Sequence, residues 1–217
     1  MKQISQNEWR RLLYLFTADN GFRPVLFNPF EEGDYVCATD ANVLIRVAKK
    51  YIYGDFKTDK RTPDVSRVMP ELNPKYIITD ANLQDAFVRL GIDYNLMLID
   101  CAECNSEGEV RWHYIDHDGD EHFMYAECPC CQGTKVVQNG SGKMCKIDSE
   151  CFDARYILLL YHVISTLGIR HVDVTVDPRR QFLFHVAEGV DVVIMPLATE
   201  GLKRITYPCA KIKIARL

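Results

Sequence analysis

Apolar residues recur at helical spacing in three stretches of this chain and at alternate positions through much of the remainder. Ser5 and Glu8 form a capping-box pair ahead of Trp9, Leu12, Leu13 and Phe16, which predicts a first helix whose pattern stops at Gly21. Arg23–Asn28, Tyr35–Thr39 and Val43–Val47 read as short strands, with a turn over Glu31–Asp34. Residues 54–66 are charged and carry proline, the composition of a connector. Beyond an extended Tyr76–Ile78, Thr79 or Asp80 can cap a second helix through Leu83, Phe87 and Leu90, closed by Gly91. A third helix is expected from about Asp153 to Leu167. Phe152, Tyr156, Leu159, Leu160, Val163 and Leu167 form its stripe, but Ile157, Leu158 and Ile164 are apolar too. Such a helix is buried on most sides, by sheet or by a partner subunit. His171–Val176, Gln181–Val186 and Val190–Met195 then alternate as an antiparallel meander, turning at Asp177-Pro178 and Glu188-Gly189.

Residues 97–145 break this rhythm. Cys101-Ala-Glu-Cys104 and Cys128-Pro-Cys130-Cys131 stand 23 residues apart, each trailed by glycine. Two tight turns that each present two thiolates can close a tetrahedral zinc (Zn) shell, here Cys101, Cys104, Cys128 and Cys131. Disulfides or idle thiols are the alternative. Cys130 is ambiguous with its neighbours, Cys145 and Cys151 are second-choice ligands, and Cys37 and Cys209 read as buried thiols. Between the pairs, Val110–Ala126 alternates around Asp118-Gly119 and predicts a hairpin. Gly140-Ser141-Gly142 marks a loop.

The 217 residues, 47% hydrophobic, suffice for one substantial core or two small ones. The first eleven residues lack the apolar run of a signal peptide, and the stretch around Tyr156–Ile164 is too short to span a bilayer. No membrane association is expected. Five of the nine cysteines fall within 101–131 and the total is odd, which fits a reduced, cytoplasmic metal site better than a disulfide framework. A net charge of −4 argues against nucleic-acid binding through overall charge. Residues 201–217 hold Lys203, Arg204, Lys211, Lys213 and Arg216 without an acid. They read as a solvated tail or a lysine-protected edge strand, with a local basic surface as the alternative. His113, Asp116, His117, Asp118, Asp120, Glu121 and His122 read as a solvated hairpin tip rather than a second metal site. No nucleophile-elbow, H-E-x-x-H or P-loop motif is present, and four thiolates would close a zinc shell, so catalysis is not expected.

Several short strings, in order, resemble the bacterial DNA polymerase III beta subunit, the sliding clamp. They are Arg23-Pro24-Val25-Leu26, Cys37 to Leu44 (C-A-T-D-A-N-V-L against A-T-D-G-H-R-L) and Ser66-Arg67-Val68-Met69-Pro70. Asn82–Leu90, Phe152-Asp153-Ala154-Arg155-Tyr156-Ile157-Leu158 and Val192–Leu197 continue the series. Cys128–Lys135, and more loosely Cys101–Gly108, are similar to the zinc-binding repeats of J-type co-chaperones. The chain departs from clamps in length, in Ala41, Asn42 and Val43 where clamps have glycine, histidine and arginine, and in the cysteine segment that follows Leu90.

The resemblance implies an α+β fold, with clamp-like helices packed on antiparallel sheets and interrupted by a zinc-knuckle module. Residues 1–96 and 147–200 would be two clamp-like halves, 97–146 the module and 201–217 a basic extension. It also implies a cleft for partner peptides of replication proteins at Thr39, Ala41, Asn42, Val43, Leu44, Pro70, Met195, Pro196 and Leu197. These could instead be core residues without a ligand. Arg10, Arg11, Arg89 and Arg155 would face double-stranded DNA phosphates, although ordinary surface arginines would look the same. So short a chain would need a homo-oligomer to form a ring. The implied function is a non-enzymatic replication or DNA-maintenance factor. The alternatives are a zinc-stabilised adaptor that does not encircle DNA and, more weakly, a redox or chaperone module.

Overall fold

The computed structural model describes residues 1–18, 23–58, 61–198 and 207–217. Its first half carries α1 (Gln6–Tyr14), β1 (Phe30–Glu32), β2 (Tyr35–Thr39), β3 (Val43–Ala48), β4 (Tyr76–Thr79) and α2 (Asp80–Leu90). The middle carries β5 (Leu98–Asp100), β6 (Glu109–Ile115), β7 (Glu121–Glu127) and β8 (Val136–Gln138). Then come β9 (Met144–Ile147), β10 (Glu150–Asp153), α3 (Ala154–Thr166), β11 (His171–Val176), β12 (Phe182–Ala187), β13 (Val190–Ile194), β14 (Cys209–Lys211) and β15 (Ala215–Arg216).

The helices begin where their caps dictate. Ser5 Oγ accepts the Glu8 N–H and the Glu8 carboxylate accepts the Ser5 N–H, both halves of a capping box. Thr79 and Asn82 repeat the device on α2, which stops at Gly91 in the left-handed conformation (φ 61°). Asp153 caps α3 by accepting the Arg155 N–H. On α3 the run Ile157–Tyr161 is buried without interruption, as expected of a helix enclosed on most sides. Gly21, expected to end the first helix, lies outside the described residues.

One antiparallel eight-stranded sheet, in the order β1-β2-β3-β13-β12-β11-β4-β15, joins the two ends of the chain. Its seams are β3 against β13 (Leu44↔Val193) and β4 against β11 (Val172↔Ile78). Strand alternation sorts its two faces. Val36, Ala38, Val43, Ile45, Val47, Val190, Val192, Ile194, Phe182 and Phe184 join the main core with residues of all three helices. Cys37, Leu44, Leu183 and Val193 point the other way, into a smaller cluster with Phe30 and Val65. On that outer face Asp191 accepts from Arg46 Nε and pairs with His185 Nδ1, both at 2.7 Å. The buried carboxylate is thereby neutralised across three adjacent strands.

Two points of the sequence reading need correction. Residues 23–28 form no strand; Pro24–Leu26 is a 3-10 turn, favoured by proline's fixed φ at its first position. Between the expected loop at Gly140 and α3 lies an unforeseen hairpin, β9–β10, turning at Asp148 (φ 52°). Of the two readings of the tail, the edge strand is the one found: β15 forms one edge of the main sheet beside β4, and β14 adds to β9 in parallel.

Candidate functional site

Two local constructions stand out, a cysteine cluster in the middle segment and a small cavity on the outer face of the main sheet.

The two cysteine turns are built alike. In each, the residue three positions after the second cysteine donates its N–H to that cysteine's carbonyl: Glu107 to Cys104 at 2.9 Å and Thr134 to Cys131 at 3.0 Å. The first cysteines are tied in too, since Ser106 N–H reaches Cys101 O at 3.0 Å and Gln132 N–H reaches Cys128 O at 2.7 Å. The turns also clasp each other, with Cys101 N–H donating to Lys135 O and Cys128 N–H to Gly108 O, at 2.9 and 2.8 Å. Asn105, Ser106, Gln132 and Lys135 all take positive φ to turn this sharply. At Gly108 a Cβ would lie 2.9 Å from Gly133 O, so the approach of the two turns requires glycine there.

These turns bring the Sγ atoms of Cys101, Cys104, Cys128 and Cys131 within 4.8 Å of one another, all four buried. Cys101 to Cys128 is 3.8 Å and Cys104 to Cys131 is 3.7 Å, far beyond a disulfide bond. The cluster could therefore hold a metal ion. The backbone N–H of Cys104, with help from Glu103 and the Cys128 thiol, draws Cys101 down to about 7, while burial pushes Cys131 up to about 11. Gly108 N–H donates to Cys104 Sγ at 3.3 Å. Cys130 is exposed and outside the cluster. Cys145 and Cys151 lie on β9 and β10, away from it. Burial pushes the Cys37 and Cys145 thiols up to about 12, which suits inert core residues. Cys209 corrects the expectation of a buried thiol: it is exposed, because it sits on the outermost strand of the small β10-β9-β14 sheet.

The second construction is a cavity of about 170 Å³. Of the nine residues expected to form a peptide cleft, Thr39, Ala41, Asn42, Val43, Leu44 and Met195 line it. The β2–β3 turn places them. Thr39 Oγ1 donates to Val43 O and accepts the Ala41 N–H, while Asp40 Oδ1 accepts the N–H groups of Asn42 and Val43. Ala41 is held at φ 83°, at the position where the resembled string has glycine. Met195 N–H then donates to Asn42 O at 2.9 Å, bringing the end of β13 to the turn. Pro70 is buried and does not line the cavity. Leu197 donates its N–H to Cys151 O and lines a different cavity with Met144 and Tyr207, and half-buried Pro196 joins the two regions.

The far wall was not foreseen. Pro63 and Val65 come from the connector and Val68 from just beyond it, the segment being pinned by Glu32, whose carboxylate accepts the Val65 N–H at 2.9 Å. Val68 belongs to the Ser66–Pro70 string, whereas Pro63 and Val65 sit in a polar stretch and carry no periodicity.

The four arginines expected to face DNA do not share one environment. Arg10 and Arg11 are exposed on α1, with Arg10 over the Phe56 ring at 5.9 Å. Arg89 pairs with Asp85 at 2.9 Å and donates to Lys211 O. Arg155 pairs with Asp153 and also reaches Gln138. Two of the four thus already have carboxylate partners.

The histidine and acid cluster lies at the tip of the β6–β7 hairpin, where Asp116 accepts the N–H groups of Asp118 and Asp120 and pairs with His122 at 2.7 Å. Those bonds hold its carboxyl below the usual range. No cluster of potential metal ligands other than the four cysteines occurs among the described residues.

Among solved structures, the DNA polymerase III beta subunit of Pseudomonas aeruginosa superposes on 89% of this chain with a TM-score of 0.50 and 18% identity. The chain has a clamp-like fold. A further structure, the corresponding subunit of Thermotoga maritima, matches with a TM-score of 0.49 and 12% identity over 89% of the chain. This chain spans 64% of the length of each of those two proteins. No family model matches, and no curated protein matches. No helix among the described residues is long and apolar enough to cross a membrane.

Proposed function

We propose that this protein is a non-enzymatic, sliding-clamp-like factor of DNA replication or maintenance that docks partner proteins and carries one structural zinc ion. The observation that carries this reading is the conjunction of a clamp-like fold with a small apolar cavity formed by six residues of the resembled cleft. Its walls are mostly aliphatic and methionine side chains over the β2–β3 turn, with Arg23, Thr39, Asn42 and Asp64 among them, which suits a hydrophobic anchor of a short peptide. At about 170 Å³ it holds a single large side chain, so a partner would be gripped by one dominant anchor.

The zinc assignment is supported by geometry. Zinc–sulfur bonds of about 2.3 Å in a tetrahedron imply sulfur–sulfur edges of about 3.8 Å. The two cross-turn separations are 3.8 and 3.7 Å. Four thiolates leave no open position for substrate, which supports a structural role.

A second reading, an adaptor that keeps the fold without encircling DNA, is favoured by the carboxylates that already occupy Arg89 and Arg155. Retention on closed circular DNA separates the two. A ring-forming factor is retained at moderate salt and released when the circle is linearised, and light scattering finds an oligomer. A monomer lost equally from both DNA forms establishes the adaptor. Either reading requires that Leu44→Ala combined with Met195→Ala abolish capture of peptides bearing a hydrophobic anchor.

A further inference from the structure

The hairpin β6–β7 projects from the cysteine turns and is exposed along almost its entire length. It is rooted there directly: β6 follows Gly108, and β7 leads into Cys128, whose N–H is bonded to Gly108 O. Cross-strand register and alternation place Trp112, Tyr114, His122 and Met124 on one face. Trp112, Tyr114 and Met124 are each about half exposed, at 50%, 54% and 53%. The opposite face exposes Phe123, Ile115 and Tyr125 at least as much, but it already holds a cation. There the Arg111 guanidinium lies 3.8 Å from the Phe123 ring centroid, with His113 stacked on the same ring, whereas on the first face His122 stacks on Tyr114. An aromatic face of this size left open to water is costly unless something docks on it.

Charge identifies the occupant. The hairpin carries Glu109, Asp116, Asp118, Asp120, Glu121 and Glu127 against a single arginine. That arginine belongs to the other face, which by the same register also carries Glu109, Glu121 and Glu127. The carboxylates beside the Trp112 face are those of the turn, Asp116, which pairs with His122, and Asp118 and Asp120. Nucleic acid, which also stacks on aromatic rings, would be repelled by these carboxylates. A second copy of the same arm would be repelled as well. Both outer strand edges of a two-stranded hairpin offer unpaired backbone groups, the template for an added extended strand.

We infer that the Trp112/Tyr114/Met124 face is a docking surface for a cationic, extended segment of another protein. The segment lays apolar side chains on the rings while its lysines or arginines meet the surrounding carboxylates. This surface is independent of the cavity beside Met195.

The test uses the full-length, metal-loaded protein and a dye-labelled octapeptide alternating lysine and valine, read by fluorescence anisotropy. The matching glutamate–valine octapeptide and a twenty-nucleotide oligo-dT are run beside it. Binding of the lysine peptide alone is expected, weakening on the order of tenfold in Trp112→Ser/Met124→Ser and in Asp118→Asn/Asp120→Asn. Both variants alter exposed side chains only, and unchanged circular dichroism and metal content verify their folding. Equal affinity for the glutamate peptide, tighter binding of oligo-dT, or undiminished binding by both variants overturns the proposal. Concentration-dependent self-association that the Trp112→Ser/Met124→Ser variant abolishes would also overturn it, by assigning the face to a second copy.

Discussion

If the four cysteines hold the proposed zinc, stripping it should unfold the middle segment and leave the rest of the protein standing. Apart from the four cysteines themselves, only Val110 and Val137 pack in that segment's core, and both are partly exposed. Even complete burial of two valines contributes at most about 3–6 kcal/mol. A structural zinc bound by thiolates contributes about 10–16 kcal/mol near neutral pH. Metal binding therefore outweighs apolar burial in this segment by a factor of roughly two or more. The main core draws no residue from 98–138, so it loses nothing directly. Hydrogen exchange followed by mass spectrometry is the assay, on protein with and without an aromatic-nitrogen chelator and with metal content measured in parallel. One metal per chain is expected, with protection lost over β5–β8 and retained in β3, β13 and α3. Cys128→Ser should behave like the chelated protein, and Cys130→Ser, which alters an exposed thiol, like the unmodified one. Unchanged protection of 98–138 in metal-free protein would refute the reasoning. So would loss of the metal from Cys130→Ser.

Three further outcomes are expected. Ala41→Gly should raise stability by up to about 1 kcal/mol, because it relieves a left-handed alanine while adding flexibility to the unfolded chain, and a fall in the urea midpoint would contradict this. Ile45→Ala, in the fully buried centre of β3, should cost about 2–5 kcal/mol with an unchanged denaturant slope; a loss under about 1 kcal/mol would show that the core collapses around the gap. The Ser5 N–H and hydroxyl hold the Glu8 carboxyl below its ordinary 4.5, so that contribution is complete above pH 4.5 and disappears as pH falls through the lowered value. Glu8→Ala should therefore lower the melting temperature more at pH 7 than at pH 3, and an equal effect at the two values would remove the Glu8 carboxylate from the explanation.

The elements with strong local grammar were legible in the chain. The Ser5/Glu8 capping pair and the Thr79 cap set two helix starts, Gly91 set a stop, strict alternation set His171–Val176, and a short apolar run set Tyr35–Thr39. The β9–β10 hairpin escaped because its strands are four residues each and its turn uses Asp148-Ser149, a weaker signal than a glycine turn. The Pro24–Leu26 turn escaped because valine and leucine beside a proline look extended by composition. At the outer cavity, residues close in sequence to the β2–β3 turn were recognisable, whereas the wall from Pro63, Val65 and Val68 depends on where Glu32 ties the connector. That tie joins positions 33 residues apart and leaves no local trace.

The interleaving of the two ends has a consequence for how the protein is made. Arg46 meets Asp191, 145 positions later in the chain, and β4 is flanked on both sides by strands from beyond position 170. A nascent polypeptide emerging from the ribosome must hold Val36, Ile45 and Ile78 without their final partners until β11 and β13 have been translated. The cysteine turns, by contrast, lie 27 positions apart and can close as soon as they are released. During synthesis, the interruption should fold before the body that it interrupts.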